Sequence, residues 1–225
     1  MDLVLYGAPL SPFVRKVDVM LREKGIEFET ENVNIPVPDS FREFSPLGRM
    51  PALRDRDVSA EGPEGVIPDS SAICGFLERI APEPACYPKD AYDFGRALWY
   101  EEYADSELAG QIGMGVFRPV VFPMFMKQEP DLDTARKAVN ESLPPLFDYL
   151  EGALQGREYF VGDGFSIADL SVATQLINLE LVVGPLNAER WPQLAALVDR
   201  VKSRPSLGPN LSICKKIIKE PIDLG

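Results

Sequence analysis

The chain contains no histidine. That absence excludes a Ser-His-Asp or Cys-His apparatus and every histidine metal ligand. Cysteine is scarce: Cys74, Cys86 and Cys214 are the only three, and no C-x-x-C occurs. Neither a zinc ribbon nor a dithiol redox pair is available, and a sparse, odd count suits a reducing compartment. There is no phosphate-binding G-x-x-x-x-G-K-S/T loop and no G-x-G-x-x-G. The opening Met1-Asp2-Leu3 carries no basic run before an apolar stretch, so neither a signal peptide nor a membrane span is expected. Positive charge is in the minority too, with 23 basic against 35 acidic residues and a formal net charge of −12. Such a chain repels phosphate backbones, so no nucleic-acid partner is expected. Asn140-Glu141-Ser142 and Asn210-Leu211-Ser212 match the glycosylation triplet but carry no meaning without secretion.

What is present is ordinary globular material: 225 residues, 45% hydrophobic and 26% charged, enough for one large domain or two small ones. The two halves differ in texture. Leu3 to Tyr6 reads as a strand, and Val14, Val17 and Leu21 repeat at helical spacing. Arg15, Lys16, Asp18, Arg22 and Glu23 lie around the other side of that helix, and Gly25 stops it. Ile26 to Glu29, Met50 to Leu53 and Val66-Ile67 predict further strands, with a hairpin over Asp55 to Gly65 and a helix over Ser70 to Ile80. The proline-rich run Ala81 to Pro88 cannot be helical. After it the spacing predicts helices over 90–118, 131–155, 166–183 and 191–203, and a shorter one near 211–219. Leu170 to Val183 is apolar on almost all sides, as in a helix at the centre of a bundle. The expected organisation is a small α/β domain over 1–80, a linker over 81–89 and an all-α domain over 90–225.

Ser11 is the residue with the most specific placement. It follows a Gly/Pro turn and precedes Pro12, which puts its hydroxyl at a helix N-terminus beside unpaired backbone N–H groups. Two roles fit that position: a plain N-cap, or a weak donor to a bound anion such as a thiolate.

Four stretches together carry a resemblance. They are Ser11-Pro12-Phe13-x-x-Lys16-Val17, Pro46-x-Gly48-x-Met50-Pro51-Ala52-Leu53, Asp69-Ser70-Ser71-Ala72-Ile73 and Phe165-Ser166-Ile167-Ala168-Asp169. In that order and at those distances they resemble the soluble glutathione transferases, and the first resembles the serine-type, tau-like or theta-like members. The resemblance implies a thioredoxin-like α/β domain followed by an all-helical domain. It implies glutathione as co-substrate, no metal, and a cytosolic homodimer with a wide cleft between protomers. Its chemistry would be attack by the glutathione thiolate on an electrophilic carbon or a hydroperoxide, as in detoxification. The alternatives are a non-catalytic carrier of apolar ligands and a dimeric protein-interaction relative.

The resemblance also implies roles. Ser11 would hold the thiolate. A cis bond at Met50-Pro51 would leave the backbone of Met50 free to pair with the cysteinyl part of glutathione, like an added strand. The Ser70 N–H and hydroxyl would face the γ-glutamyl carboxylate while Asp69 takes the neighbouring ammonium, although an acidic residue before a helix is also favoured by the dipole. Arg49 could reach the glycyl carboxylate or stand as a solvated loop arginine. Tyr6, at the end of the first strand, is the rival hydroxyl to Ser11, with packing as its other role. Ser166 and Asp169 read as a capping box, with Phe165 packing on Leu170. For the acceptor, Phe13 and the stripe Tyr103, Glu107, Gly110, Met114 and Phe117 are the candidates, expected at a site between the domains. A stripe of that spacing is more often core than pocket. Gly110, Gly113 and Gly115 suggest a break or widened groove, and Phe122, Met124, Phe125 and Met126 an apolar flap.

Overall fold

The structure is a computed structural model, and it describes residues 1–34 and 37–224. The chain divides into two compact units. The first is Met1–Cys86 with Pro205–Asn210, and the second is Tyr87–Arg204 with Leu211–Gly225.

The first unit is built on four strands, β1 (Leu3–Tyr6), β2 (Glu29–Glu31), β3 (Ala52–Asp55) and β4 (Val66–Ile67). Their spatial order is β2-β1-β3-β4, with β1 parallel to β2 and the other pairs antiparallel. Leu3, Val4 and Leu5 are all buried, because both faces of the sheet are covered. Leu3 and Leu53 share one face with Phe76 of α2 (Ser70–Ile80). On the other face Ala52 joins Val33 and Phe41, with Tyr6, Phe44 and Met50 packed around them. The register places Tyr6 opposite Ala52 and Leu53 opposite Ile67. The chain therefore leaves β1, enters β3 and leaves β4 at a single edge of the sheet.

Helix α1 (Pro12–Glu23) departs from the expected amphipathic pattern. Every residue from Val14 to Leu21 is buried, including Arg15 and Lys16, which are fully enclosed, and Asp18. Burial of these charges is tolerable because each has a partner. Arg15 Nε donates to Asn210 Oδ1 at 2.7 Å, Lys16 Nζ to Ser71 Oγ at 3.2 Å, and Asp18 takes the Arg22 guanidinium at 3.0 Å. Just past the helix, Lys24 meets Glu78 at 2.7 Å and donates to the carbonyls of Ala81 and Pro84.

Two strands begin later than the spacing predicts. The N–H of Ile26 returns to Leu21 C=O and that of Gly25 (φ +64°) to Arg22 C=O, so Ile26 still belongs to the helix terminus and β2 waits until Glu29. In β3, Pro51 has no N–H to enter a ladder, and pairing starts at Ala52. The hairpin over 55–65 is pinned by the buried Arg54, whose guanidinium donates to the carbonyls of Ser59 and Gly62 and stacks 4.9 Å over Phe44.

The second unit is helical: α3 (Ala91–Met126), α4 (Leu132–Lys137), α5 (Pro144–Leu154), α6 (Ile167–Val183) and α7 (Pro192–Lys202). A last helix, α8 (Gly208–Ile217), begins in the segment that returns to the first unit. α6 is buried along almost its whole length and α3 packs along it. By length and composition α3 could cross a membrane, its most apolar 18 residues having a mean hydropathy of 1.2. Its buried residues Ala97, Tyr100, Ala104, Leu108 and Ile112 recur every three or four positions, as in a helix packed on others.

The glycines of α3 do not break it. Instead the helix carries two wide turns, at Ala104–Leu108 and Gly113–Phe117, and continues to Met126. Gly115 has a packing reason, since a Cβ there would lie 2.7 Å from the Cβ of Ala138. Phe122 to Met126 form the last turns of this helix, with Met124, Phe125 and Met126 exposed. The predicted helix over 131–155 is interrupted by a wide turn at Ala138–Ser142 and restarts at Pro144.

At the start of α6, Asp169 accepts from Ser166 N at 2.8 Å, Ser166 Oγ at 3.0 Å and Phe160 N at 2.9 Å, so the capping box forms. Phe165, expected to pack on Leu170, carries the Arg204 guanidinium 3.9 Å above its ring. Burial outweighs the three donors to Asp169 and pushes its carboxyl up to about 6.

Two expectations follow for stability. Gly7 passes so close to α1 that a Cβ there would clash with Val14 Cγ2, a stiff, buried side chain. Gly7→Ala should therefore lower stability by about 1–3 kcal/mol in a urea melt, the cost of overpacking. Asp169 has a folded pKa above its unfolded one, so its contribution is fully present below about pH 4 and is lost as pH rises through about 6. The stability of the native chain relative to Asp169→Asn should thus fall between pH 4 and 7. A rise over that interval would mean that the donors outweigh burial.

Candidate active site

The edge where β1 ends, β3 begins and β4 ends gathers three loops, over residues 7–11, 46–51 and 68–70. The first is held by Gly7 N–H to Glu31 C=O at 2.9 Å and Ser11 N–H to Ala8 C=O at 2.9 Å. It delivers Ser11 as the N-cap of α1 in extended conformation (φ −71°, ψ 125°). The hydroxyl oxygen accepts from Val14 N–H at 3.4 Å, a long bond. A hydroxyl accepts and donates at once. The cap therefore leaves the Ser11 proton available, and it has no acceptor among the described residues.

The second loop is tied to the first through a sulfur contact, Ala8 N–H to Met50 Sδ at 3.2 Å. The Met50–Pro51 bond is cis, and so is Glu83–Pro84, which sequence reading did not single out. Among the described residues nothing hydrogen-bonds the backbone N–H or C=O of Met50. Arg49 is exposed, with its backbone N–H on Ser45 Oγ at 3.1 Å and no ion pair among the described residues.

The third loop leads into α2. Asp69 is its N-cap, with Oδ1 accepting from Ser71 N–H at 2.9 Å and Ala72 N–H at 3.0 Å. The residue is exposed and Oδ2 has no hydrogen-bond partner among the described residues. Ser70 is buried at the first helical position, and its side chain makes no hydrogen bond among the described residues. Behind this turn the fully buried Lys16 places its ammonium on Ser71 Oγ. Two helix N-termini and an enclosed cation thus favour negative charge within this unit.

Tyr6 sits on the opposite face from Leu5. Its ring packs 5.4 Å from Phe44, in the small core around Ala52 and Phe41. Phe13, the second residue of α1, is half-buried.

Along the stripe expected on α3, Tyr103 is half-buried and Gly110 is exposed. Phe117 is buried and packs edge-on against Phe122 at 6.1 Å, whereas Glu107 and Met114 are exposed. Tyr103 joins an aromatic group that sequence reading missed, with Trp99 at 6.1 Å and Tyr149 at 5.0 Å. Trp99 Nε1 donates to Tyr149 Oη at 2.9 Å, and burial pushes the Tyr103 phenol up to about 12. The spacing Trp99-x-x-x-Tyr103 was a visible signal for half of that group, and Tyr149 lay out of reach on another helix. Lys16 was missed because a lysine beside Arg15 on a helix reads as solvated.

The chain is similar in sequence and in fold to known proteins. The family model described as "Glutathione S-transferase, N-terminal domain" matches residues 5–85, and "Glutathione S-transferase, C-terminal domain" matches 116–209. The chain is 32% identical over 212 residues to the uncharacterized GST-like protein YibF of Escherichia coli (strain K12), covering 90% of this chain and 95% of that one. It is 27% identical to glutathione S-transferase theta-3 of Mus musculus, covering 90% and 83% of the two chains. Among solved structures it is similar to a glutathione S-transferase from Rhodospirillum rubrum F11, with a TM-score of 0.81 and 28% identity over 93% of this chain and 92% of that one.

The capping role of Asp69 can be separated from any role toward a ligand. Asp69→Ala should cost about 0.5–2 kcal/mol in a denaturant melt without ligand, because two N–H groups lose their acceptor. Asp69→Ser, which keeps a capping oxygen, should recover most of that loss. Equal stability of the native chain and Asp69→Ala would show that the cap contributes nothing.

Proposed function

The chain belongs to the glutathione S-transferase family, and we propose that it acts as a glutathione transferase in which Ser11 holds the glutathione thiolate. The observation that carries this reading is the Ser11 hydroxyl at the N-terminus of α1, capping through its oxygen while its proton lacks an acceptor among the described residues. A free thiol near pKa 8.5 is only a few per cent thiolate at neutral pH. A hydrogen bond from Ser11, the α1 dipole and the enclosed Lys16 all favour the anion. A lowering of two pKa units corresponds to about 2.7 kcal/mol.

The other subsites follow the same edge. The backbone of Met50, unpaired among the described residues, suits the cysteinyl segment of glutathione, held like an added strand at cis-Pro51. The Ser70 N–H and hydroxyl suit the γ-glutamyl carboxylate, and Asp69 Oδ2 the ammonium on the same carbon. Arg49, exposed within this loop, is the cation we assign to the glycyl carboxylate. The thiol proton leaves to solvent. The thiolate then attacks an electrophilic carbon, a C–S bond forms, and the leaving group departs with its electron pair. For the acceptor, Phe13 is the candidate on the first unit, and the half-buried Tyr103 with the exposed Glu107 and Met114 are the candidates on α3, while Phe117 lies in the core. We place the working protein in the cytoplasm as a homodimer, in keeping with the family resemblance.

Two experiments test the reading. Ser11→Ala should cut turnover of an activated aryl halide about 10²-fold or more, the loss typical of removing one donor from a developing or bound anion. Glutathione affinity should barely change, and the thiol pKa in the complex, read from thiolate absorbance, should rise. If instead Tyr6→Phe raises that pKa and Ser11→Ala leaves it alone, Ser11 is only a helix cap. With stability preserved, Asp69→Ser should weaken glutathione binding by about 1.5–3 kcal/mol, the range for a charge-assisted bond.

A further inference from the structure

We infer that Asn210, nearly two hundred residues away in sequence, is a positioning residue for Ser11, acting through the turn that precedes it and the helix that follows it. Asn210 lies in the segment Pro205–Asn210, which belongs to the first unit. Its side chain is enclosed, with 5% exposure. Nδ2 donates to the carbonyl of Pro9 at 3.1 Å, and Oδ1 accepts from Arg15 Nε at 2.7 Å. The orientation of the amide is unambiguous, since a guanidinium can only donate and a carbonyl can only accept.

These two partners bracket the catalytic position. Pro9 stands two residues before Ser11, in the loop whose Ala8 carbonyl accepts the Ser11 N–H. Arg15 stands four residues after it, and its own N–H bonds the Ser11 carbonyl at 3.0 Å. One amide therefore links the loop before Ser11 to the first turn of the helix after it. The rest of the segment is anchored independently, by the buried Leu207 and by a hydrogen bond from Ser206 Oγ to Glu23 Oε1 at the far end of α1. Asn210 is thus held from behind, and its amide is a fixed reference for the loop. A hydrogen bond to sulfur from a single hydroxyl is sensitive to such a reference, because its strength falls steeply with misalignment. Displacement of a catalytic group by about 1 Å can cost about 10²-fold in rate.

The inference rests on Ser11 carrying the thiolate, and the test separates the two. Asn210→Asp keeps an acceptor for Arg15 but turns an oxygen toward the Pro9 carbonyl, so the loop is released while the buried guanidinium stays paired. The readout is the thiol pKa of bound glutathione, with kcat and the KM for glutathione measured beside it. Asn210→Asp should raise the pKa, lower kcat about tenfold as expected for a partial displacement, and leave KM within about twofold. In the double variant with Ser11→Ala, the Asn210 effect on pKa should vanish, because it acts through the hydroxyl. If Ser11→Ala raises the pKa and Asn210→Asp does not, this inference alone is overturned. If Ser11→Ala leaves the pKa unchanged, both readings fall. Full additivity in the double variant would assign Asn210 a purely structural role. Should Asn210→Asp not fold, Asn210→Gln, which moves the same amide outward by one methylene, carries the same comparison with the same outcomes.

Discussion

The first unit is organised by the need to pair the charges that α1 takes out of water. Arg15 and Lys16 are fully enclosed, and an unpaired buried cation is among the costliest features a fold can contain. Each must therefore find acceptors on a different part of the chain. Lys16 takes Ser71 at the start of α2, and Arg15 takes Asn210 in a segment that returns from far along the sequence. Lys24, just beyond the helix, takes Glu78 and the carbonyls of Ala81 and Pro84. Through these contacts the helix that begins at Ser11 is registered against α2, against the segment after α2, and against Pro205–Asn210.

That registration sets up the chemistry. The sheet brings three loop ends to one edge by strand pairing alone, but pairing does not fix how the loops are oriented. The Met50 sulfur contact to Ala8 N–H, the Lys16 contact to Ser71 and the Asn210 contact to Pro9 each fix one loop against another element. The result is a backbone-rich edge with two hydroxyls, on Ser11 and Ser70, whose protons have no acceptor among the described residues.

The helical unit follows a different logic. Its central helix is buried along almost its whole length and is located by its capping box, where Asp169 is buried with three donors. Around it, α3 continues through two wide turns instead of breaking at its glycines, with one buried face throughout. Phe117 turns into the core while Met114 stays outside, and Tyr103 finds its neighbours on its own helix and on α5.

Features governed by neighbours in sequence were legible without the structure. Strand β1, β4, helix α2 and the Ser166–Asp169 cap depend on local spacing and on capping chemistry, and they stand at the positions predicted. The placement of Ser11 at a helix start followed from the proline after it, for the same reason. What depends on contacts between distant residues was not legible. A lysine and an arginine in a helix read as solvated until a serine on α2 and an asparagine near the C-terminus enclose them. The strand expected at Ile26 lost its first residues to the closing bonds of the helix before it. The sequence alone determined which residues could cap, turn and form strands, because those choices are made within a few residues. Only the tertiary structure decided which charges are buried and what holds the Ser11 loop, because burial and pairing are properties of the packed chain.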